Sequence, residues 1–288
     1  RSRVRVRKTN ASRKCPTSGR VSEGPAVIHF TPMDNIDNNP EPSHGAIVIG
    51  GSGALGQAVV RSLHGEGVAV GMTYFQNSDA AERLCDELPG VVRALADGRD
   101  LNSLRLSIQD LRDRLPPVTS LVHCVSICLT PGDPVPESNA QKMDDVSGAG
   151  WDELMSVNVK SAYFACQQVI PMIRRSGGGN IVLVGSISGT RPLPSPVHYA
   201  TSKTALEGMA RAMAKELGGD NIRVNVVEPG ILEAGVSRTL PETLVTEYKK
   251  HCSLRRVGRM EEIASVVAWM ASSNTYVSGQ AILVDGAL

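Results

Sequence analysis

A chain of 288 residues with 41% apolar side chains has material for one large folded domain. Aromatics make up only 3%, so Val, Ile, Leu and Ala do the packing, which suits buried parallel strands and argues against an aromatic binding surface. The formal charge is +1, but eight of the 30 basic residues and one of the 29 acidic ones fall within residues 1–32, so the chain from Met33 onward nets −6. A mildly acidic body is a poor electrostatic footprint for nucleic acid. No apolar run reaches ~18 residues, so no membrane span is expected. The six cysteines form no CxxC pair and do not cluster with histidines, which reads as reduced thiols in a cytoplasmic protein and predicts no metal site.

Residues 1–44 read as an unstructured basic leader and a Pro/Asn-rich linker. An Arg/Ser-rich targeting peptide, a basic arm for an acidic partner and non-native sequence ahead of a start at Met33 all fit, and the last is the plainest. From Ala46 the pattern changes. AIVIG is a short apolar run that meets the glycine cluster GGSGALG, followed by an amphipathic stretch from Leu55 to His64. Strand candidates VAVGMTY, VVRALA, SLVHCVSI, NIVLVGSI, IRVNVVEPG and AILVDG then alternate with helical patterns. That alternation predicts an α/β fold: a single doubly wound, Rossmann-like domain over 45–288, with a parallel sheet covered by helices on both faces.

Gly50, Gly51, Ser52, Gly53, Ala54, Leu55 and Gly56 stand where the first strand turns into a helix. Small residues at a helix N-terminus make an anion site that a diphosphate can approach closely. The Lys-Ser/Thr pair of a nucleotide-hydrolysing loop is absent. In YATSK, Tyr199 and Lys203 are four residues apart and share one helix face. An ammonium beside a phenol is expected to lower the tyrosine pKa and make it an acid/base near neutrality. Ser186 closes the strand NIVLVGSI, at the end where open parallel sheets bind ligands. Asn158 is a polar residue within the helical run WDELMSVNVK.

Taken together, residues 45–287 resemble the short-chain dehydrogenase/reductase family, and within it the 3-oxoacyl-carrier-protein reductases. The glycine loop, Asn158, Ser186 in GSISG, Tyr199 and Lys203 in YATSK, VVEPG and the terminal GQAILVDG occur in the family's order. The spacings of 28 residues from Asn158 to Ser186 and 13 from Ser186 to Tyr199 match as well. The resemblance implies a Ser-Tyr-Lys-Asn mechanism. Tyr199 would exchange the proton, Lys203 would tune it and hold the nicotinamide ribose, Ser186 would position the reacting oxygen, and Asn158 would anchor a relay water. Cofactor contacts would come from Gly50, Ser52, Gly53, Ala54, Leu55, Gly56, Gln76, Asn77, Asp97, Tyr199, Lys203, Pro229 and Gly230.

The chain departs from the family pattern at Ile49, Ala54, His123-Cys124-Val125-Ser126 and Ala234, and in a longer segment around 129–150. MTYFQNSD lacks the acid expected at the second strand end of NAD users, which points to NADPH, with NADH left open. Leu232, Val236, Leu240, Leu244 and Leu254, between Ile231 and Val257, would line a lid suited to an aliphatic chain. The function expected is NADPH-dependent reduction of a small-molecule or acyl-carrier-bound ketone, foremost a 3-oxoacyl thioester, by a homodimer or homotetramer. A sugar, steroid or other secondary-alcohol dehydrogenase and a non-catalytic nucleotide-binding scaffold are the alternatives.

Overall fold

Strand β1 (Gly45–Ile49) shows why the sheet is buried on both faces. Ala46 and Val48 point to one hydrophobic cluster and Ile47 and Ile49 to the other, all essentially inaccessible. Successive side chains in a strand face opposite ways, so an unbroken apolar run demands cover on both sides. The computed structural model describes residues 42–129 and 141–288. The leader except its last three residues, and the 130–140 part of the long segment, lie outside the described residues.

The helices that supply the cover follow in chain order: α1 (Ala54–Gly65), α2 (Ser78–Glu87), α3 (Leu101–Arg114), α4 (Gly148–Met155), α5 (Ser161–Arg175), α6 (Val197–Leu217), α7 (Glu242–His251) and α8 (Met260–Ser272). They alternate with β2 (Ala69–Tyr74), β3 (Val92–Leu95), β4 (Val118–His123), β5 (Gly179–Val184), β6 (Ile222–Pro229) and β7 (Ala281–Val284). Among the described residues all seven strands are parallel, in the order β3-β2-β1-β4-β5-β6-β7. The α/β doubly wound expectation is therefore met. The α1 and α8 side chains fill one face, and those of α3, α5 and α6 the other. Each fully buried Val, Leu or Ile in these layers contributes about 1.5–3 kcal/mol.

Strand order reverses at β1, so a crevice opens between the carboxyl ends of β1 and β4. Two features differ from the sequence expectation. The run from Trp151 to Arg175 is not one regular helix, because a π-helical turn at Ser156–Lys160 separates α4 from α5. The expected lid contains α7, whose Tyr248 packs with Ile231 and Cys252. Leu240 and Leu244 join that cluster and so pack against their own chain, whereas Leu254 is 61% exposed.

Candidate functional site

The first half of the site is backbone. Gly50 leaves β1 with φ +83, in the region that favours glycine. Its N–H donates to Thr73 Oγ1 at 2.9 Å, and the Gly51 N–H donates to the Thr73 carbonyl at 2.9 Å. Thr73 of β2, unremarked in the sequence, thus fixes the turn from below. The Gly53 N–H then donates to Gly50 O at 3.1 Å. A Cβ on Gly56 would lie 2.1 Å from that same Gly50 oxygen, so the first turn of α1 approaches the loop as only glycine permits. Gly53 is the N-cap of α1 and makes no side-chain cap, and Ala54 and Leu55 follow it as the first helical residues. The first N–H groups of a helix have no intrahelical partner and sit at its positive end. Gln57 Nε2 ties the turn to Ser52 O at 3.0 Å. This cradle fits a diphosphate.

Across β2, Gln76 and Asn77 are exposed, with Asn77 at the N-cap of α2. Asp97, just past β3, accepts from the Arg99 N–H at 2.9 Å and from its guanidinium, at 2.9 Å from Nη2. Those bonds hold its carboxyl below the usual range. Arg99 also lies 5.1 Å from the centre of the Phe75 ring, and Arg93 lies 5.6 Å from that of Tyr74. The sequence shows no arginine at the end of β2. The structure brings two there from β3 and the turn after it, a placement that only strand pairing reveals.

The second half of the site is side chains. Ser186 follows β5 and caps the short turn Ile187–Gly189, its Oγ accepting from the Ser188 N–H at 3.2 Å. Tyr199 and Lys203 lie in the first two turns of α6, 8% and 1% exposed. Lys203 Nζ donates to Val184 O at 3.1 Å and stands 5.6 Å from the centre of the Tyr199 ring. Ser186 therefore joins Tyr199 and Lys203, as the spacing suggested. The expected tyrosine pKa does not follow. Burial pushes the Tyr199 phenol up to about 12, and the neighbouring Ser186 and Ser126 hydroxyls only partly offset it. Burial likewise pushes Lys203 down to about 8, although the nearby Cys128, Cys124 and Glu228 oppose that shift. Removing a charge's hydration outweighs a neighbouring ammonium here.

Asn158 lies within the π-helical turn, a common location for functional groups. Its Oδ1 accepts from the Ile127 N–H at 2.9 Å, and its Nδ2 donates to Ile127 O at 2.8 Å and to Ser202 Oγ at 3.0 Å. It reaches Tyr199 only through Ser202, whose hydroxyl donates to Tyr199 O at 2.7 Å. Pro229 and Gly230 end the neighbouring strand, and a Cβ on Gly230 would meet Tyr248 Oη at 2.2 Å.

The departure at 123–126 acquires a physical meaning. His123 is fully buried, with Nε2 at 2.8 Å from Ser161 Oγ. That hydroxyl donates to Val157 O at 2.6 Å, so Nε2 must carry the ring proton. Burial holds His123 neutral, with its pKa down to about 3. It is a structural group behind β4. Ser126 is instead turned to the Tyr199 phenol, and its Oγ is buried.

Among the described residues, no three His, Cys, Asp or Glu side chains gather to hold a metal, and no helix is long and apolar enough to cross a membrane. A groove of about 760 Å³ lies apart from the polar cluster, between α4, α5 and α6, lined by Met155, Val159, Phe164, Met209 and Met213 among others.

Residues 51–288 match the family described as Enoyl-(Acyl carrier protein) reductase. A 3-oxoacyl-[acyl-carrier-protein] reductase from Thermotoga maritima is 30% identical over 246 residues, covering 84% of this chain and 96% of that one. A dehydrogenase/reductase SDR family member 4 from Oryctolagus cuniculus is 30% identical, with 84% and 92% covered. Among solved structures, a blue fluorescent protein from a metagenomic library, in complex with NADPH, superposes with a TM-score of 0.76 at 29% identity, covering 84% of this chain and 96% of that one.

Proposed function

Since the chain belongs to the short-chain dehydrogenase/reductase family, we propose that it reduces a ketone to a secondary alcohol with NADPH, and that the ketone is a 3-oxoacyl thioester. The observation that supports this reading is the trio at the carboxyl end of β5, where the half-buried Ser186 hydroxyl and the buried Lys203 ammonium flank the Tyr199 phenol. The nicotinamide cofactor supplies the hydride when bound. The Gly50–Gly56 loop would hold its diphosphate, chiefly through the unpaired N–H groups at the start of α1, and Gln76, Asn77 and Asp97 its adenosine end. Tyr199 and Lys203 would hold the nicotinamide ribose, and Pro229 and Gly230 would border the nicotinamide side.

The chain's own groups manage the proton. A tyrosine with a pKa near 12 keeps its proton at neutral pH and is ready to give it to a carbonyl oxygen. Ser186 fixes that oxygen beside it. Lys203, charged below its pKa of about 8, faces the phenolate that the transfer leaves and stabilises it. Asn158 holds the Ile127 segment, and through Ser202 the Tyr199 backbone, in register. Arg99 and Arg93 supply positive charge beside the β2 end, which favours NADPH over NADH. The apolar groove between α4, α5 and α6 supports self-association into a dimer or tetramer.

Purified protein offered NADPH or NADH with acetoacetyl thioester, simple ketones and sugars tests the reading. The expected result is NADPH oxidation fastest with the thioester and lost in Tyr199→Phe. Faster turnover of a sugar or simple alcohol would replace the substrate. Failure to bind either nucleotide would overturn the enzymatic reading altogether.

A further inference from the structure

Behind Lys203 lie two carboxyl groups for which the proposed reaction has no use. Glu228 is the penultimate residue of β6 and 0% exposed, and Glu207, one turn beyond Lys203 on α6, is 8% exposed. Both reach one hydroxyl. Thr190 Oγ1 is within hydrogen-bond reach of both Glu228 Oε2 and Glu207 Oε1, the latter at 3.3 Å. A threonine hydroxyl has a single proton, so it can donate to one carboxylate only. For its second contact to be a hydrogen bond, the other carboxyl must carry a proton and donate it. Two carboxylates at one buried site resist joint ionisation for the same reason.

We propose that Glu228, the carboxyl with no arginine paired to it, keeps a proton and gives it to Thr190 Oγ1, whose own proton goes to Glu207, and that this pair positions the Ser186 segment against α6 and sets the charge that Lys203 meets. The inference rests on the catalytic reading of Ser186 and Lys203 given above. Thr190 directly follows the Ile187–Gly189 turn that Ser186 caps, so the pair fastens that turn to β6 and α6. The fastening is tight: a Cβ on Gly185 would lie 3.0 Å from Glu228 Cγ, and Thr204 Oγ1 donates to Gly189 O at 2.8 Å. The charged groups around Glu228 are few. From α6 come Glu207, Arg211 and Lys203, with Arg211 paired to Glu207 at 3.0 Å. β5 contributes Gly185, and β7 pairs the apolar Leu283 with Glu228. Asp285 and Tyr248 meet the chain two residues on, at Gly230. Burial, first, and then Glu207 push Glu228 up to about 7, while the Thr190 hydroxyl pulls it down.

A carboxyl whose pKa is raised on folding is released by the unfolded chain first. Its contribution to stability is therefore lost as pH rises from about 4.5 to about 7. Thermal melts of the full chain and of Glu228→Gln, recorded from pH 5 to 7.5, isolate that contribution as the difference between two curves. The wild type should lose stability relative to the variant as pH rises, and the variant should melt higher at pH 7.5. Superimposable curves would overturn the proton held on Glu228. Thr190→Val is the second variant, and it should move the crossover to higher pH because its hydroxyl lowers Glu228. The pH profile of ketone reduction reads the positioning role. Glu228 raises the Lys203 pKa, so Glu228→Gln should shift the alkaline limb to lower pH. An unmoved limb beside altered melting curves would make the pair structural only and overturn that role. Reductase activity surviving in Tyr199→Phe would instead condemn the catalytic reading, while the melts still decide whether Glu228 keeps its proton.

Discussion

Where β1 ends, side chains are missing; where β5 ends, they crowd. The glycine loop works because nothing projects from Gly50, Gly53 or Gly56, so the backbone can be approached closely while Thr73 holds the turn from beneath. The other end buries a phenol, an ammonium, several hydroxyls and two carboxyls within a few residues of one another. A site made of backbone is set by steric permission and is insensitive to pH. A site made of buried ionisable groups is set by desolvation, and its behaviour follows the solvent's proton activity. The two ends should therefore fail differently.

The largest effect is expected at the crowded end. Tyr199→Phe removes the proton donor and leaves the ring in place, so kcat should fall about 10²–10⁴-fold. The affinity for NADPH, read by fluorescence, should change little beside that loss. At the bare end, Gly56→Ala should do the reverse. Its Cβ would meet Gly50 O at 2.1 Å, and that contact is backbone that cannot step aside. Overpacking of this kind costs about 1–3 kcal/mol or more, and the displaced loop should abolish measurable nucleotide binding at every pH. Unchanged affinity in Gly56→Ala would show that the loop does not hold the nucleotide.

A smaller effect separates the two ends by pH alone. His123 is buried and neutral, with its pKa lowered from 6.5 to about 3. The unfolded chain takes up that proton first as pH falls, so the wild type loses stability between about pH 6.5 and 3. His123→Asn lacks the group and should hold its melting temperature better over that window, by several degrees at pH 4. Parallel melting curves for the two proteins would mean that the histidine is solvated and free to protonate.

The sequence made the scaffold legible because its signal is periodic. Seven apolar runs became seven strands, and the loop after the first became the turn at the switch in strand order. Tyr199, Lys203 and Ser186 were legible through spacing. The hidden features depend on pairing or on burial. The π-helical turn that aims Asn158 has no compositional mark, since WDELMSVNVK reads as ordinary helix. The raised tyrosine pKa is invisible in the sequence, because four-residue spacing shows a neighbouring ammonium and does not show how much water is excluded. Arg99 carries no sequence signal of its role because it lies beyond β3, and only the β2–β3 pairing brings it to Phe75.

Arg99 gives the smallest of the expected effects and tests how far the bare end is purely backbone. Its guanidinium is engaged twice, with Asp97 at 2.9 Å and Glu153 at 3.4 Å, while stacking near Phe75. A 2′-phosphate would have to compete with those carboxylates, and the side chain is nearly half exposed, so salt would screen the contact. Arg99→Ala is therefore expected to weaken NADPH binding only about tenfold, the equivalent of a single charge-assisted contact, and to leave NADH binding nearly unchanged. The NADPH deficit should shrink as salt is raised. Equal loss for both nucleotides would assign Arg99 to holding Asp97 in place. The adenosine end would then discriminate by shape and hydrogen bonding at Gln76 and Asn77, and the bare half of the site would owe nothing to a fixed charge.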